Sequence, residues 1–126
     1  MSKNTLISGL HHVSLLVADL QRASNFYINI LGLEEDTSRP DMAFPGMWLK
    51  IGTQQIHLLC LDKTASGTDA EHPGRDAHCA LAVPSISRIQ ERLKLENIPF
   101  HMSKSGRSAL FCRDPEGNGI EFVETL

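Results

Sequence analysis

Four residues at matched places carry the chemistry open to this chain: His12, His57, His78 and Glu121. His12 opens the run His12-Val13-Ser14-Leu15-Leu16-Val17. Sixty-six residues on, His78 opens His78-Cys79-Ala80-Leu81-Ala82-Val83. His57 stands within Gln54-Gln55-Ile56-His57-Leu58-Leu59, and Glu121 takes the same place in Asn118-Gly119-Ile120-Glu121-Phe122-Val123. The spacing is 45 residues from His12 to His57 and 43 from His78 to Glu121. One histidine in an apolar run is usually a satisfied core group. Four aligned positions instead point to a duplicated module, each half carrying two candidate ligands. Three imidazoles and a carboxylate suit a divalent cation such as Zn²⁺, Ni²⁺, Fe²⁺ or Mn²⁺. Glu121 lies between Ile120 and Phe122, where burial without a partner would cost several kcal/mol, roughly; a metal ion would remove that cost.

Strands can bring such distant groups to one side. In residues 11–17, Val13, Leu15 and Val17 share one face, and His12, Ser14 and Leu16 the other. In residues 55–61, His57, Leu59 and Leu61 oppose Ile56, Leu58 and Cys60. His11 competes with His12, but it falls on Ala77 in the repeat and points to the opposite face, so the repeat selects His12. His101 lies outside the pattern, as a surface residue or an acid–base group. His72, without apolar neighbours, reads as exposed.

The elements follow from the same repeat. Asp19 is expected to cap a helix whose apolar stripe is Leu20, Ala23, Phe26, Tyr27, Ile30 and Leu31, with Gly32 as its stop. Phe26 and Tyr27 read as core. Residues 34–47, with Pro40, Pro45 and Gly46, predict one or two short strands broken by turns. Strands are expected at 47–52 and 55–61, joined near Gly52-Thr53. In the second half, residues 78–83 form a strand. Ser85 caps a helix with stripe Ile86, Ile89 and Leu93, and Asn97 ends it. Pro99 confines a strand at 98–103 to a sheet edge. Strands at 108–113 and 120–124 flank the turn Asp114-Pro115-Glu116-Gly117-Asn118-Gly119. Each half is one strand, one helix and about three strands. The expectation is a single α+β domain over 1–126, with modules 9–61 and 77–124 joined by the polar linker 62–76.

Composition excludes several classes. The 126 residues carry a net charge of −3 and no basic run, which argues against nucleic-acid and anionic-membrane partners. No stretch approaches the roughly 20 apolar residues of a membrane span. The N-terminus, Met1-Ser2-Lys3-Asn4-Thr5, does not read as a signal peptide. Cys60, Cys79 and Cys112 are odd in number and sit in apolar runs, which reads as buried reduced thiols in a cytoplasmic protein.

Three segments carry a resemblance to a known superfamily: Leu10 to Leu20, Phe26-Tyr27 through Leu31-Gly32-Leu33, and Phe111 to Phe122. Across nearly its whole length the chain resembles the vicinal oxygen chelate proteins. These include glyoxalase I, methylmalonyl-CoA epimerase, fosfomycin- and bleomycin-resistance proteins and extradiol dioxygenases. The resemblance implies paired βαβββ modules forming a cupped mixed sheet around a metal site. It also implies a homodimer, often with modules paired across the two chains. By position, His12, His78 and Glu121 match the common ligands; His57 falls where glyoxalase I carries a carboxylate and epimerases an amide.

The implied activity is a metal-dependent, glyoxalase-like lyase or isomerase acting on a small substrate chelated through oxygens. Glu121 or His57 would move the proton, and His57 is a base only where its nitrogen is not metal-bound. Arg39 and Arg107, in loops near strand ends, are candidate contacts for an anionic substrate. The alternatives are an extradiol-type Fe²⁺ dioxygenase, a fosfomycin-resistance-like thiol transferase and a metal-free ligand-binding protein of the bleomycin-resistance kind.

Overall fold

Both helices begin where the sequence places a cap. The structure is a computed structural model and describes residues 6, 10–62, 73, 77–104 and 106–125. The elements run β1 (His12–Val17), α1 (Leu20–Ser24, extended by a π-helical segment Asn25–Ile30), β2 (Glu34–Glu35), β3 (Gly46–Ile51) and β4 (Gln54–Cys60). They continue with β5 (His78–Val83), α2 (Ile86–Leu95), β6 (Phe100–Met102), β7 (Ala109–Arg113) and β8 (Gly119–Glu124). The Asp19 carboxylate accepts from the Arg22 amide at 3.0 Å, and the Ser85 hydroxyl from the Arg88 amide at 3.3 Å. Each satisfies a donor that the first helical turn leaves without a partner.

The chain forms two four-stranded mixed sheets with the same internal plan, β1-β4-β3-β2 and β5-β8-β7-β6. In each, the first strand runs parallel to the last, and the other pairings are antiparallel. The architecture is α+β in two modules. Alternation then sorts the side chains. Val17, Leu49, Ile56 and Leu58 of the first sheet point into the core, as do Cys79, Leu81, Leu110, Cys112, Ile120 and Phe122 of the second. Burying each large apolar side chain contributes about 1.5–3 kcal/mol.

The first helix departs from expectation. Its periodicity predicts regular helix to Leu31, but from Asn25 the chain widens into a π turn, with the Leu31 amide donating to the Phe26 carbonyl at 3.0 Å. The wider turn lets the adjacent Phe26 and Tyr27 both enter the core, edge to face with centroids 4.9 Å apart. Gly32 ends the segment at φ +83°. In the second half, Asn97 closes α2 at φ +59°, and β6 follows Pro99 at the sheet edge. The strands expected within 34–47 reduce to Glu34–Glu35 and the start of β3 at Gly46. Asp36, Ser38 and Arg39 hydrogen-bond within the loop between them.

The modules meet through the turn before β8. Asp114, buried, accepts from the Glu116 and Asn118 amides at 2.9 and 2.8 Å and from the Asn118 side chain at 2.9 Å. The amides meet Oδ1 and the Asn118 side chain Oδ2, which also receives the Tyr27 hydroxyl at 2.7 Å. Asn118 donates to the Leu16 carbonyl at 3.2 Å, and Glu116 accepts from the Asp19 amide at 3.2 Å. The turn is therefore both a hairpin and a clasp on the first module. Most of the expected linker, His72 included, lies outside the described residues.

Candidate functional site

The register places the four residues in equivalent positions. On the face of the first sheet opposite the core, Ser14, His57 and Trp48 form one cross-strand row, with His12, Gln55 and Lys50 in the next. On the second sheet the corresponding row is Ala80, Glu121, Phe111 and His101, followed by His78, Gly119 and Arg113. His57 and Glu121 are thus structural counterparts, as are His12 and His78, and Trp48 and Phe111. His101, outside the sequence repeat, joins the Glu121 row.

The first pair is a stack of rings. His57 lies between His12 and Trp48, with centroid separations of 4.0 and 4.3 Å and interplanar angles of 14° and 6°. His57 Nε2 is 2.9 Å from Gln55 Oε1, and Gln55 Nε2 donates to Asp36 Oδ2 at 2.6 Å. His12 Nδ1 sits 2.9 Å from His11 Nδ1, so His11 contacts the ring selected by the repeat. Burial holds the His57 pKa below the usual imidazole value. His12, His11 and Arg39 depress it further, and Asp36 opposes them. A neutral imidazole keeps a lone pair for a metal or a proton.

The second pair is a carboxylate held between donors. Glu121 is buried, with Oε1 3.0 Å from His78 Nε2 and Oε2 3.0 Å from an Arg107 guanidinium nitrogen. His78 lies edge-on to Phe111 at 5.7 Å. Glu121 is not buried without a partner: Arg107 and His78 supply donors to both oxygens, which offsets the cost of its burial. Arg107, expected to meet a substrate anion, engages Glu121. Arg39 braces its own loop, donating to the Phe44 carbonyl at 2.9 Å with its guanidinium over the Phe44 ring. Gly119 permits this arrangement. A Cβ there would meet His78 Cβ at 3.0 Å and two carbonyl oxygens at 3.3 Å.

The donor set has the chemistry of a divalent-metal site, nitrogen plus carboxylate. Within one chain it is divided into pairs: among the described residues, no three His, Cys, Asp or Glu converge to hold an ion. The thiols take no part. Burial pushes Cys112 up to about 12 and raises Cys79, so both stay protonated near neutrality. Sequence reasoning missed Gln55, Asp36, Trp48 and Phe111. Strand alternation on the histidine face was the available signal for Gln55, Trp48 and Phe111; Asp36, in a loop, gave none.

A family model for the glyoxalase/bleomycin resistance protein/dioxygenase superfamily matches residues 9–122. The chain belongs to this superfamily. It is 29% identical over 123 residues to Glyoxylase I 4 of Arabidopsis thaliana, covering 91% of this chain and 70% of that protein. A glyoxalase family protein of Bacillus anthracis superposes with a TM-score of 0.77 at 25% identity, covering 98% of this chain and 99% of the other. A fosfomycin resistance protein of Listeria monocytogenes, solved with Mn(II) and 1S,2S-dihydroxypropylphosphonic acid, shares the fold. Its TM-score is 0.74 at 22% identity, over 96% of this chain and 95% of the other. No helix among the described residues is long and apolar enough to cross a membrane.

Proposed function

We propose that the chain is a divalent-metal-dependent lyase or isomerase of the glyoxalase type, acting on a small substrate that offers two neighbouring oxygens. The observation that carries this reading is the common register of His57 and Glu121, each flanked by a histidine on the adjoining parallel strand. His12, His57, His78 and Glu121 are the proposed ligand set. Two copies complete it, the His12–His57 pair of one facing the His78–Glu121 pair of the other, because one chain holds the donors only as separate pairs. Modules 9–61 and 77–124 are the units that combine.

A bound divalent ion would polarise a substrate carbonyl as a Lewis acid. The chain's own residues do the rest. Glu121 takes the proton, each oxygen keeping a lone pair beside its bond to His78 or Arg107, and a substrate anion can draw Arg107 away. The freed Arg107 guanidinium then suits an anionic substrate group. Trp48 and Phe111 wall the two pairs with apolar surface. Arg39 lies near enough to depress the His57 pKa, and it lends positive charge to the same rim.

A second reading, a metal-free ligand-binding module, is favoured by the fact that Glu121 already has partners on both oxygens. Metal content separates the two. Stoichiometric metal is expected in the parent and none in His12→Ala or Glu121→Ala. A purified heterodimer of these two variants is expected to regain half the parent content, since one of its two sites is intact. A parent without metal after reconstitution sinks the enzyme reading. A heterodimer as empty as both variants sinks pairing across chains.

A further inference from the structure

We propose that Asp36, acting through Gln55, fixes the ring proton of His57 on Nε2 and leaves Nδ1 as the nitrogen with a free lone pair. The functional consequence rests on the proposed reading of His57 as a ligand or base. The positioning itself rests on hydrogen-bond chemistry alone.

An ionised carboxylate accepts hydrogen bonds and donates none. Asp36 Oδ1 accepts from the Ser38 amide at 3.0 Å and the Ser38 hydroxyl at 2.7 Å. These bonds, Ser38 first, hold the Asp36 carboxyl below the usual carboxylate range. Its other oxygen, Oδ2, faces the Gln55 amide at 2.6 Å. An acceptor there requires the NH₂ of Gln55 to point at Asp36, so Gln55 Oε1 must point the other way. That oxygen is the atom 2.9 Å from His57 Nε2. An amide oxygen only accepts, so Nε2 must carry the hydrogen. The neutral imidazole then has its lone pair on Nδ1, which makes no hydrogen bond among the described residues.

The stack makes the arrangement rigid. Rotating the imidazole about its Cβ–Cγ bond would carry it through the rings of His12 and Trp48, 4.0 and 4.3 Å away. Gln55 and Asp36 are thus positioning residues: they touch no reacting atom and decide which nitrogen is available. The second module has no counterpart, because Gly119 occupies the place of Gln55. The device belongs to the half whose functional group can exist as two tautomers.

The relay can be reversed by one atom. In Asp36→Asn the oxygen stays with Ser38, so the new NH₂ faces Gln55. The Gln55 amide then turns over, its NH₂ meets His57 Nε2, and the proton moves to Nδ1. Gln55→Lys offers Nε2 a donor and reverses the tautomer by a shorter route. The double variant Asp36→Asn with Gln55→Glu gives the new carboxylate an NH₂ donor at position 36, offers Nε2 an acceptor and preserves the tautomer.

The test uses full-length protein labelled with ¹⁵N-histidine, stripped of metal, at a pH where His57 is neutral. Long-range ¹H–¹⁵N correlations report which nitrogen is protonated, and His57→Gln assigns the signals. The Nε2–H pattern is expected in the parent and in the double variant Asp36→Asn with Gln55→Glu, and the Nδ1–H pattern in Asp36→Asn and Gln55→Lys. An Nδ1–H pattern in the parent, or an unchanged pattern in both reversing variants, overturns the proposal. Zinc is then added to the parent. A shift at His57 Nδ1 supports both the proposal and the ligand reading, whereas displacement of the proton from Nε2 by zinc overturns the proposal. If His57 is untouched by zinc while the tautomer pattern holds, the ligand reading of His57 fails and the positioning relay stands.

Discussion

The two modules hold equivalent groups by opposite means. His57 sits stacked between two rings, tethered through an amide. Its counterpart Glu121 sits in a clamp between the Arg107 guanidinium and the His78 ring. The difference follows from what each group must keep. An imidazole useful as a ligand or base must stay neutral, which burial and neighbouring positive charge favour. A buried carboxylate useful in the same roles must stay ionised, which requires donors close to both oxygens. The sheets can share a register while their surroundings have diverged toward opposite electrostatics.

The hairpins at the ends of the modules differ as sharply, and the largest effect is expected there. The first sheet turns at Gly52-Thr53, with Gly52 at φ +59° and no side-chain hub. The second turns around Asp114, which gathers two backbone amides, Asn118 and Tyr27. Asp114→Ala strips all four donors of their acceptor inside the junction. The expected loss is about 3 kcal/mol of stability by chemical denaturation. Gly52→Ala meets nothing within 4 Å and pays only for its positive φ, about 1 kcal/mol. Equal losses from the two would show that the hub carries no special weight.

Exchanging the residues that differ beneath the equivalent groups sharpens the comparison. Gly119→Gln brings the side chain of the first module into the second, where its Cβ would press on His78 and on backbone carbonyls. The expected cost is about 2 kcal/mol. The reverse change, Gln55→Gly, removes a half-buried side chain from a strand and is expected to cost about 1 kcal/mol or less. Thermal unfolding of the two variants should therefore rank them with Gly119→Gln below Gln55→Gly.

Much of this contrast was legible in the sequence, for reasons that separate local from distant physics. The caps at Asp19 and Ser85, the stops at Gly32 and Asn97 and the edge strand after Pro99 depend on residues within a few positions. So does the alternation that puts His57 and Glu121 on a common face. The bond from Tyr27 to Asp114 spans 87 residues, and the one from Gln55 to Asp36 spans 19. Nothing in either local pattern marks them, because Tyr27 sits on an apolar stripe and Asp36 in a polar loop. The π turn was hidden for a related reason: packing, rather than periodicity, makes room for Phe26 and Tyr27 together. Arg107 was expected to meet a substrate anion, and its bond to Glu121 could be seen only once β7 and β8 were paired.

Tyr27→Phe isolates the junction bond without disturbing the ring packing. Burial first, and then Asp114, raise the Tyr27 pKa above its ordinary value, so the hydroxyl stays a donor across the accessible pH range. Losing this one bond is expected to cost about 1.5 kcal/mol, roughly half the effect of Asp114→Ala, because Asp114 keeps its other three donors. A loss near zero in the same denaturation assay would mean that the turn clasps the first module through Asn118 and Glu116 instead.

The smallest expected effect is the pH dependence that His57 imposes on the first module. Its folded pKa is lowered below 6.5, chiefly by burial and then by His12, His11 and Arg39. Below 6.5 the unfolded chain therefore binds a proton at this residue more readily than the folded one. The corresponding stability is complete above the unfolded pKa, declines as pH falls through the folded pKa, and is gone below it. His57→Phe keeps a ring in the stack and removes the titration, so its stability should fall less steeply than the parent's between pH 7 and pH 5. The slope should be reduced in the same direction when Arg39 is replaced by Met, because that removes one of the charges opposing protonation, and by a smaller amount. If His57→Phe instead tracks the parent across this range, the stack does not control protonation there, and the electrostatic contrast between the modules reduces to the Glu121 clamp alone.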